Sequence, residues 1–222
     1  LDPVSMTYAC AESCEPENVC GGLCCPLGST CGVDGSCVLA DLAIDAEQIV
    51  ASAFLDTYDF QQGSCSFFEG CVGDIGPRRL LRFDLRTPNI GDGDMLLGNP
   101  QGNPLFVYST CHDHFHFEGY ANYRLLDQAM NVVATGHKQA FCLLDWEPYA
   151  PDAPEDPKYH CGYQGIQKGW ADTYENNLPC QWVDVTGVPP GEYLLEVSLN
   201  IHKTLAEKRY DNNLAIVPVT ID

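Results

Sequence analysis

The chain has 222 residues, room for one sizeable domain and a small one. It carries 11 Lys plus Arg against 31 Asp plus Glu, a net charge of −20, which excludes a nucleic-acid role because phosphate neutralisation needs a basic face. A charge of this sign permits long-range attraction of cationic substrates, and it reads equally well as a soluble, self-repelling surface.

Thirteen cysteines point to disulfides and an oxidising, extracellular compartment. No apolar run reaches the length of a membrane span. The chain begins at Leu1, as expected of a sequence whose signal segment has been removed or lies outside it.

Residues 1–39 stand apart. Cys10, Cys14, Cys20, Cys24, Cys25, Cys31 and Cys37 sit among Gly, Pro, Ser and acidic residues. Such a segment buries too little apolar surface to fold unaided, so it is expected to be a small disulfide-rich module. A metal cluster is disfavoured, because the segment has no His and no CxxC spacing. Seven is odd, so one thiol is free or pairs elsewhere.

Residues 40–60 are expected to begin as a strand and continue as a short helix. Cys65 and Cys71 bracket a tight loop, and residues 79–85 read as a strand. The Gly-, Asn- and Pro-rich residues that follow are turns.

Residues 111–127 are the most informative stretch. His112, His114 and His116 alternate with Asp113, Phe115 and Phe117, in an aromatic-rich run without Pro. Read as a strand, this places all three imidazoles on one face. Neighbouring same-face positions lie about 6.5–7 Å apart, a gap that imidazole rings can close around one ion. Neutral imidazole is the commonest side-chain ligand of Zn, Cu, Fe and Ni. The plainer reading is a row of surface or core histidines satisfied by hydrogen bonds. Three of six histidines in strict alternation within five residues favour the metal. A three-His set leaves a position open for chemistry. The histidines alone do not choose the ion, although raw affinity favours Cu(II) over Zn(II). A zinc hydrolase on the same ligands would need a carboxylate base, for which Glu118 is the near candidate.

Residues 131–145 again follow a strand pattern. Residues 146–180, with Pro148, Pro151, Pro154 and Pro157, read as a long irregular stretch. Residues 181–185, 191–200 and 212–221 are the last strands. Many short strands without sustained helical periodicity imply an all-β fold: a β-sandwich core with long irregular loops, occupying 40–222, preceded by the module 1–39.

Several motifs, in order and spacing, carry a resemblance to a known family. They are Arg78-Arg79-Leu80-Leu81-Arg82-Phe83, the Cys-His-x-His-x-His run continuing to Leu125-Leu126-Asp127, and Gly136-His137-Lys138 leading to Phe141-Cys142-Leu143. Gln164-Gly165-Ile166, Cys180-Gln181-Trp182-Val183-Asp184-Val185-Thr186, Gly191-Glu192-Tyr193-Leu194 and Tyr210-Asp211-Asn212-Asn213 complete the set. From about Asp41 to the C-terminus the chain resembles the catalytic domain of the lysyl oxidase family. The cysteine-rich segment resembles small extracellular modules.

The resemblance implies a secreted copper-dependent amine oxidase. Its substrates would be a primary amine or a lysine-containing protein, with O2, and its products an aldehyde, H2O2 and NH3. It implies copper on His112, His114 and His116, with zinc there in an unmatured form. It implies that Lys138 and Tyr174 join into lysine tyrosylquinone, a carbonyl-bearing electron sink for the substrate amine. Taken singly, a Lys at a strand end is ordinarily solvated and a Tyr in a polar loop is ordinarily packing. The base stays open among Asp113, His137, Asp172 and Asp184.

The resemblance further implies disulfides Cys65–Cys111, Cys71–Cys180 and Cys142–Cys161. A fourth family bridge is lost, since Trp170 stands at one end and the proline loop offers no Cys for the other. It also implies a calcium set of Asp41, Leu42 through its carbonyl, Glu207, Asn212 and Asn213. One family carboxylate falls at Arg209, a departure for which Asp211 is the available substitute. Against calcium stands the simple reading of an acidic turn capping the last strand. The rival function, of another class, is a non-catalytic extracellular metal-binding module on the same fold.

Overall fold

Strict alternation of buried and exposed side chains marks the last strand of the largest sheet. In the strand Leu214–Ile221, Ala215, Val217, Val219 and Ile221 are buried and the residues between them are exposed. The period of two puts one face on the core and the other in water. The structure, a computed structural model, describes residues 19–136 and 139–222.

The sheet runs in the order Val132–Thr135, His114–Leu126, Gly191–Leu199, Leu214–Ile221, all neighbours antiparallel. The 13-residue strand His114–Leu126 is its spine. The second half of this strand pairs with Gly191–Leu199 and Val132–Thr135. Its first half pairs with Phe106–Ser109 and with the main chain of Gln139–Phe141. Smaller antiparallel sheets complete the architecture. One joins Phe54–Phe60, Gly76–Arg82 and Trp182–Asp184. A second joins Glu147–Pro148, Trp170–Tyr174 and Leu85–Pro88, and a third joins Met95–Gly98 to Gln164–Ile166. The fold is all-β, several sheets around a shared core. Among the described residues helix is confined to Ala46–Ser52 and Cys65–Phe68, and no helix is long and apolar enough to cross a membrane.

The core is rich in tyrosine, so its hydroxyls need partners. Tyr120 Oη donates to Thr87 Oγ1 at 2.7 Å, and Tyr123 Oη donates to Gln181 Oε1 at 2.9 Å. Phe83 meets Tyr123 edge to face at 4.8 Å between ring centroids.

Two segments differ from the sequence expectation. Within 40–60 the order is reversed, helix first and strand Phe54–Phe60 second. Asp45 caps the helix by accepting from Gln48 N at 3.1 Å, Ile49 buries its inner face, and Ala53 turns extended and ends it. The stretch 146–180 is not wholly irregular. Its prolines leave room for Gln164–Ile166 and Trp170–Tyr174, and the latter is the central strand of its sheet.

Disulfides hold what the sheets do not. Cys20–Cys31 and Cys25–Cys37 cross-link the short strands of residues 19–39. This segment docks through main-chain bonds, Gly28 N to Leu96 O at 3.2 Å and Ala206 N to Leu27 O at 2.8 Å. Among the described residues Cys24 is in no disulfide. Cys10 and Cys14 lie outside the described residues. Cys65 is bonded to Cys111, Cys71 to Cys180, and Cys142 to Cys161. Cys71–Cys180 spans 109 positions of sequence, so its loss releases a large unfolded-state loop. The double variant Cys71→Ser/Cys180→Ser is expected to lose about 2–5 kcal/mol in denaturant unfolding.

Candidate active site

The histidine stretch is not one continuous strand. The strand begins at His114, and Asp113 has φ 58°, in the left-handed region. Strict alternation therefore fails at His112, which sits in a turn; Asp is among the few residues that accept this backbone. The turn brings the third ring back to the other two. Ring centroids are 5.8 Å apart for His112–His114, 5.3 Å for His112–His116 and 4.9 Å for His114–His116.

Neighbouring groups fix this turn. Asp113 N donates to Ser109 O at 2.9 Å, and His112 N donates to Ser109 Oγ at 3.2 Å. Ser109 Oγ donates in turn to Glu69 Oε1 at 2.8 Å, while Glu69 Oε2 lies 3.0 Å from His112 Nε2. Glu69 follows the helix Cys65–Phe68, which the Cys65–Cys111 disulfide ties to the residue before His112. Tyr108 Oη donates to the Asp113 carboxylate, a bond that raises the phenol's pKa. Asp113 is thus engaged on the turn. Glu69, Ser109 and Tyr108 escaped the sequence reading; the one available signal was the Cys65–Cys111 pairing, which carries Glu69 along with it.

His116 is buried and His114 half-buried. Burial holds the His114 pKa below its usual value and His112 adds to the effect, so this ring stays neutral, the form that ligates a metal. Among the described residues, the His, Cys, Asp and Glu sets whose ligand atoms all lie within 4.8 Å are Cys20/Cys25/Cys37 and Glu69/Cys71/Cys180. Their cysteines are all in disulfides. The three imidazoles are not such a set, so closing on one ion requires their rings to turn inward.

Two cavities adjoin the cluster. One, of about 390 Å³, is lined by Glu69, His112, His116 and Glu118 together with the apolar Phe68 and Val107. The other, of about 180 Å³, is lined by His114, Asp172, Tyr174, Leu144 and Trp146 among others.

Tyr174 is buried on the strand Trp170–Tyr174 and not in a polar loop. Its ring meets Tyr120 nearly edge to face at 5.9 Å. Asp172, also buried, lies close enough for its charge to act on the phenol. Burial drives the Asp172 carboxyl well above the usual range, against the bond from Leu144 N. Burial likewise drives the Tyr174 phenol far up, and Asp172 adds to it. Lys138 and His137 lie outside the described residues. Asp184 is bound by Arg78, Nη2 at 2.7 Å and Nε at 2.9 Å. Burial would raise its pKa, but Thr186 and Arg78 lower it on balance, so Asp184 is a buttress of the sheet edge.

The residues of the implied calcium set also meet. Asp41, Glu207 and Asn213 are buried around the bridge of Ala40 to Glu207. Leu42 contributes its amide, which donates to Glu207 Oε2 at 2.7 Å.

Fold and site together describe a disulfide-bonded β protein with a three-imidazole candidate metal centre beside a buried phenol. A family model described as lysyl oxidase matches residues 40–222. Over 205 residues, 86% of this chain, it is 36% identical to lysyl oxidase homolog 2 of Gallus gallus and of Bos taurus, and 35% identical to that of Homo sapiens. The chain belongs to the lysyl oxidase family. It spans 26% of the length of each of these relatives.

Burial of Asp172 has a pH signature. A carboxyl whose folded pKa is raised contributes its full stability below its unfolded pKa and loses it as pH rises through the folded pKa. Asp172→Asn, which keeps the shape without the charge, is expected to match wild type below about pH 4 and to become progressively more stable than wild type above it. Urea unfolding at a series of pH values checks both parts.

Proposed function

We propose that this chain is a secreted copper-dependent amine oxidase of the lysyl oxidase type. It oxidises a primary amine, free or on a lysine-containing protein, with O2 and water, to an aldehyde, H2O2 and NH3. Family membership supports the class. The observation that carries the reading is the one cleft of about 180 Å³ lined by both His114 and Tyr174, which puts one imidazole of the cluster and the phenol residue on the same partly open space.

His112, His114 and His116 are the residues that would hold copper, or zinc before maturation. The donor set suits either ion: three nitrogens, one of them kept neutral by burial. When bound, copper supplies the redox partner for O2, and a quinone made from Lys138 and Tyr174 supplies the carbonyl with which an amine condenses. The remaining work belongs to the chain. Asp172 lies beside the Tyr174 phenol and Tyr120 packs against its ring, so the buried phenol is shielded from water. Glu69 orients the His112 imidazole through Nε2, leaving Nδ1 as the other ligand atom of that ring. The larger cavity combines carboxylates with apolar walls, a composition that suits a cationic head on a methylene stem. The net charge of −20 favours capture of amines over long range. Five disulfides among the described residues fit an oxidising compartment outside the cell. Residues 19–39, cross-linked by two disulfides, act as an appendage to the catalytic part, 40–222.

One observation favours a rival. Tyr174 is 3% exposed and lies beside a buried carboxyl, which suits a phenol that is never oxidised, on a module that only binds metal. Mass analysis of the copper-loaded protein separates the two. A cross-linked peptide containing Lys138 and Tyr174, a positive quinone stain and amine-dependent peroxide release support the oxidase; two separate peptides with no peroxide support the rival. Lys138→Ala and Tyr174→Phe are expected to abolish stain and peroxide, leaving only background, about 100-fold below wild type or less, while retaining copper. Alanine at His112, His114 or His116 is expected to lower bound copper itself, read by elemental analysis.

A further inference from the structure

Outside the cavities described above, two acidic side chains are buried at one place. Asp41 is 3% exposed and Glu207 5% exposed. Burial raises the Glu207 pKa, and the nearby Asp41 charge raises it further, against the hydrogen bonds it receives. Most of the donors that satisfy the pair are neutral. Leu42 N donates to Glu207 Oε2 at 2.7 Å, and Asn200 Nδ2 and Asn213 Nδ2 donate to Glu207 Oε1 at 2.6 and 2.7 Å. Asn212 Nδ2 donates to Asp41 Oδ1 at 2.8 Å. The cation is Arg209, whose Nε donates to Asp41 Oδ2 at 3.1 Å.

A second observation says what kind of cluster this is. The amide oxygens of Asn212 and Asn213 are buried and, among the described residues, accept no hydrogen bond. Asn213 is itself only 5% exposed. An amide that gives its N–H to a carboxylate and leaves its oxygen unmatched beside that carboxylate makes an oxygen-rich cluster of the kind that takes a hard cation. Yet the Asp41 carboxylate is already engaged by a guanidinium, that of the half-exposed Arg209. Calcium requires six to eight oxygens with enough negative charge among them, and Arg209 cancels the charge of Asp41.

We infer that Arg209 is a built-in substitute for a divalent cation, so that this chain closes the Asp41/Glu207 cluster without calcium. The set Asp41, Leu42, Glu207, Asn212 and Asn213 does not fit a bound calcium ion while Arg209 is in place. Removing the guanidinium strands a buried carboxylate, and calcium then has both the charge and the oxygens to enter. The inference is independent of the oxidase reading and needs no activity measurement.

Thermal unfolding of the whole chain in EGTA, in about 1 mM calcium chloride and in about 1 mM magnesium chloride tests it. Wild type is expected to melt at one temperature in all three. Arg209→Gln is expected to melt about 3 °C lower or more in EGTA and to recover in calcium but not in magnesium. Adding Asp41→Asn to Arg209→Gln is expected to abolish the recovery. A calcium-dependent rise in wild type overturns the inference, as does an Arg209→Gln variant that melts like wild type in EGTA. A lowered Arg209→Gln that calcium fails to rescue also overturns it, since Arg209 is then an ion pair and no stand-in. Equilibrium dialysis of wild type against calcium keeps the question decidable if Arg209→Gln does not fold: no stoichiometric ion supports the inference, one bound ion per chain refutes it.

Discussion

The candidate centre depends on a single turn being held in a backbone conformation that most residues avoid. Asp113 is left-handed, and it stays so because two independent anchors meet at its base. The Cys65–Cys111 disulfide fixes the chain just before His112, and Ser109 binds the two amides that follow. The disulfide also delivers Glu69, whose two oxygens join Ser109 and His112 in one network. A left-handed non-glycine residue costs on the order of 1–3 kcal/mol, so it persists only where surroundings over-determine it. Here that constraint turns a linear pattern of histidines into a cluster.

A second constraint comes from polarity inside the core. Tyr120, Tyr123, Tyr174 and Asp172 are all buried. Tyr120 and Tyr123 settle their hydroxyls on Thr87 and Gln181, which are neutral. Tyr174 lies beside the carboxyl of Asp172, which is itself held toward its protonated form by burial. The arrangement is one that a folding argument alone does not select, because a hydrophobic or amide residue at 172 would satisfy the same space more cheaply. A polar pair kept at such a cost beside a cavity that also touches His114 points to chemistry more than to packing.

Legibility in the sequence followed the range of the interactions. The alternation of Ala215, Val217, Val219 and Ile221 needs only local pattern, and it reads directly as a half-buried strand. From His114 onward the histidine run is a strand as its pattern suggests, although its burial does not alternate: His116 and Phe117 are both buried, as are Tyr120 and Ala121. His112 does not obey the pattern, because the φ of Asp113 is set by Ser109 and a disulfide and leaves no mark on alternation. The helix at 46–52 was misplaced in order because Asp45 serves at once as its cap and as the partner of Arg86, 41 positions away. Four prolines hid the strand that bears Tyr174, although they lie at its sheet's edge or in the connections and spare the strand itself. Glu69 was unreadable for a simpler cause: its role rests on a contact with His112 across 43 positions.

The two clusters at the ends of this reasoning treat positive charge in opposite ways. At the histidines, imidazoles gather with carboxylates at the rim, and burial lowers the pKa of His114, so that a cation arriving from outside meets ligands. At Asp41 and Glu207, oxygens gather in the same fashion, but the chain has placed a guanidinium of its own against Asp41. The difference is one of mobility and chemistry. A guanidinium is permanently charged and directional, and it cannot change oxidation state or exchange ligands. It can therefore replace an ion whose only task is to neutralise buried oxygens, and it cannot replace one whose task is to react. By that distinction a guanidinium can stand at Asp41, and it could not stand in for a redox ion among the three imidazoles.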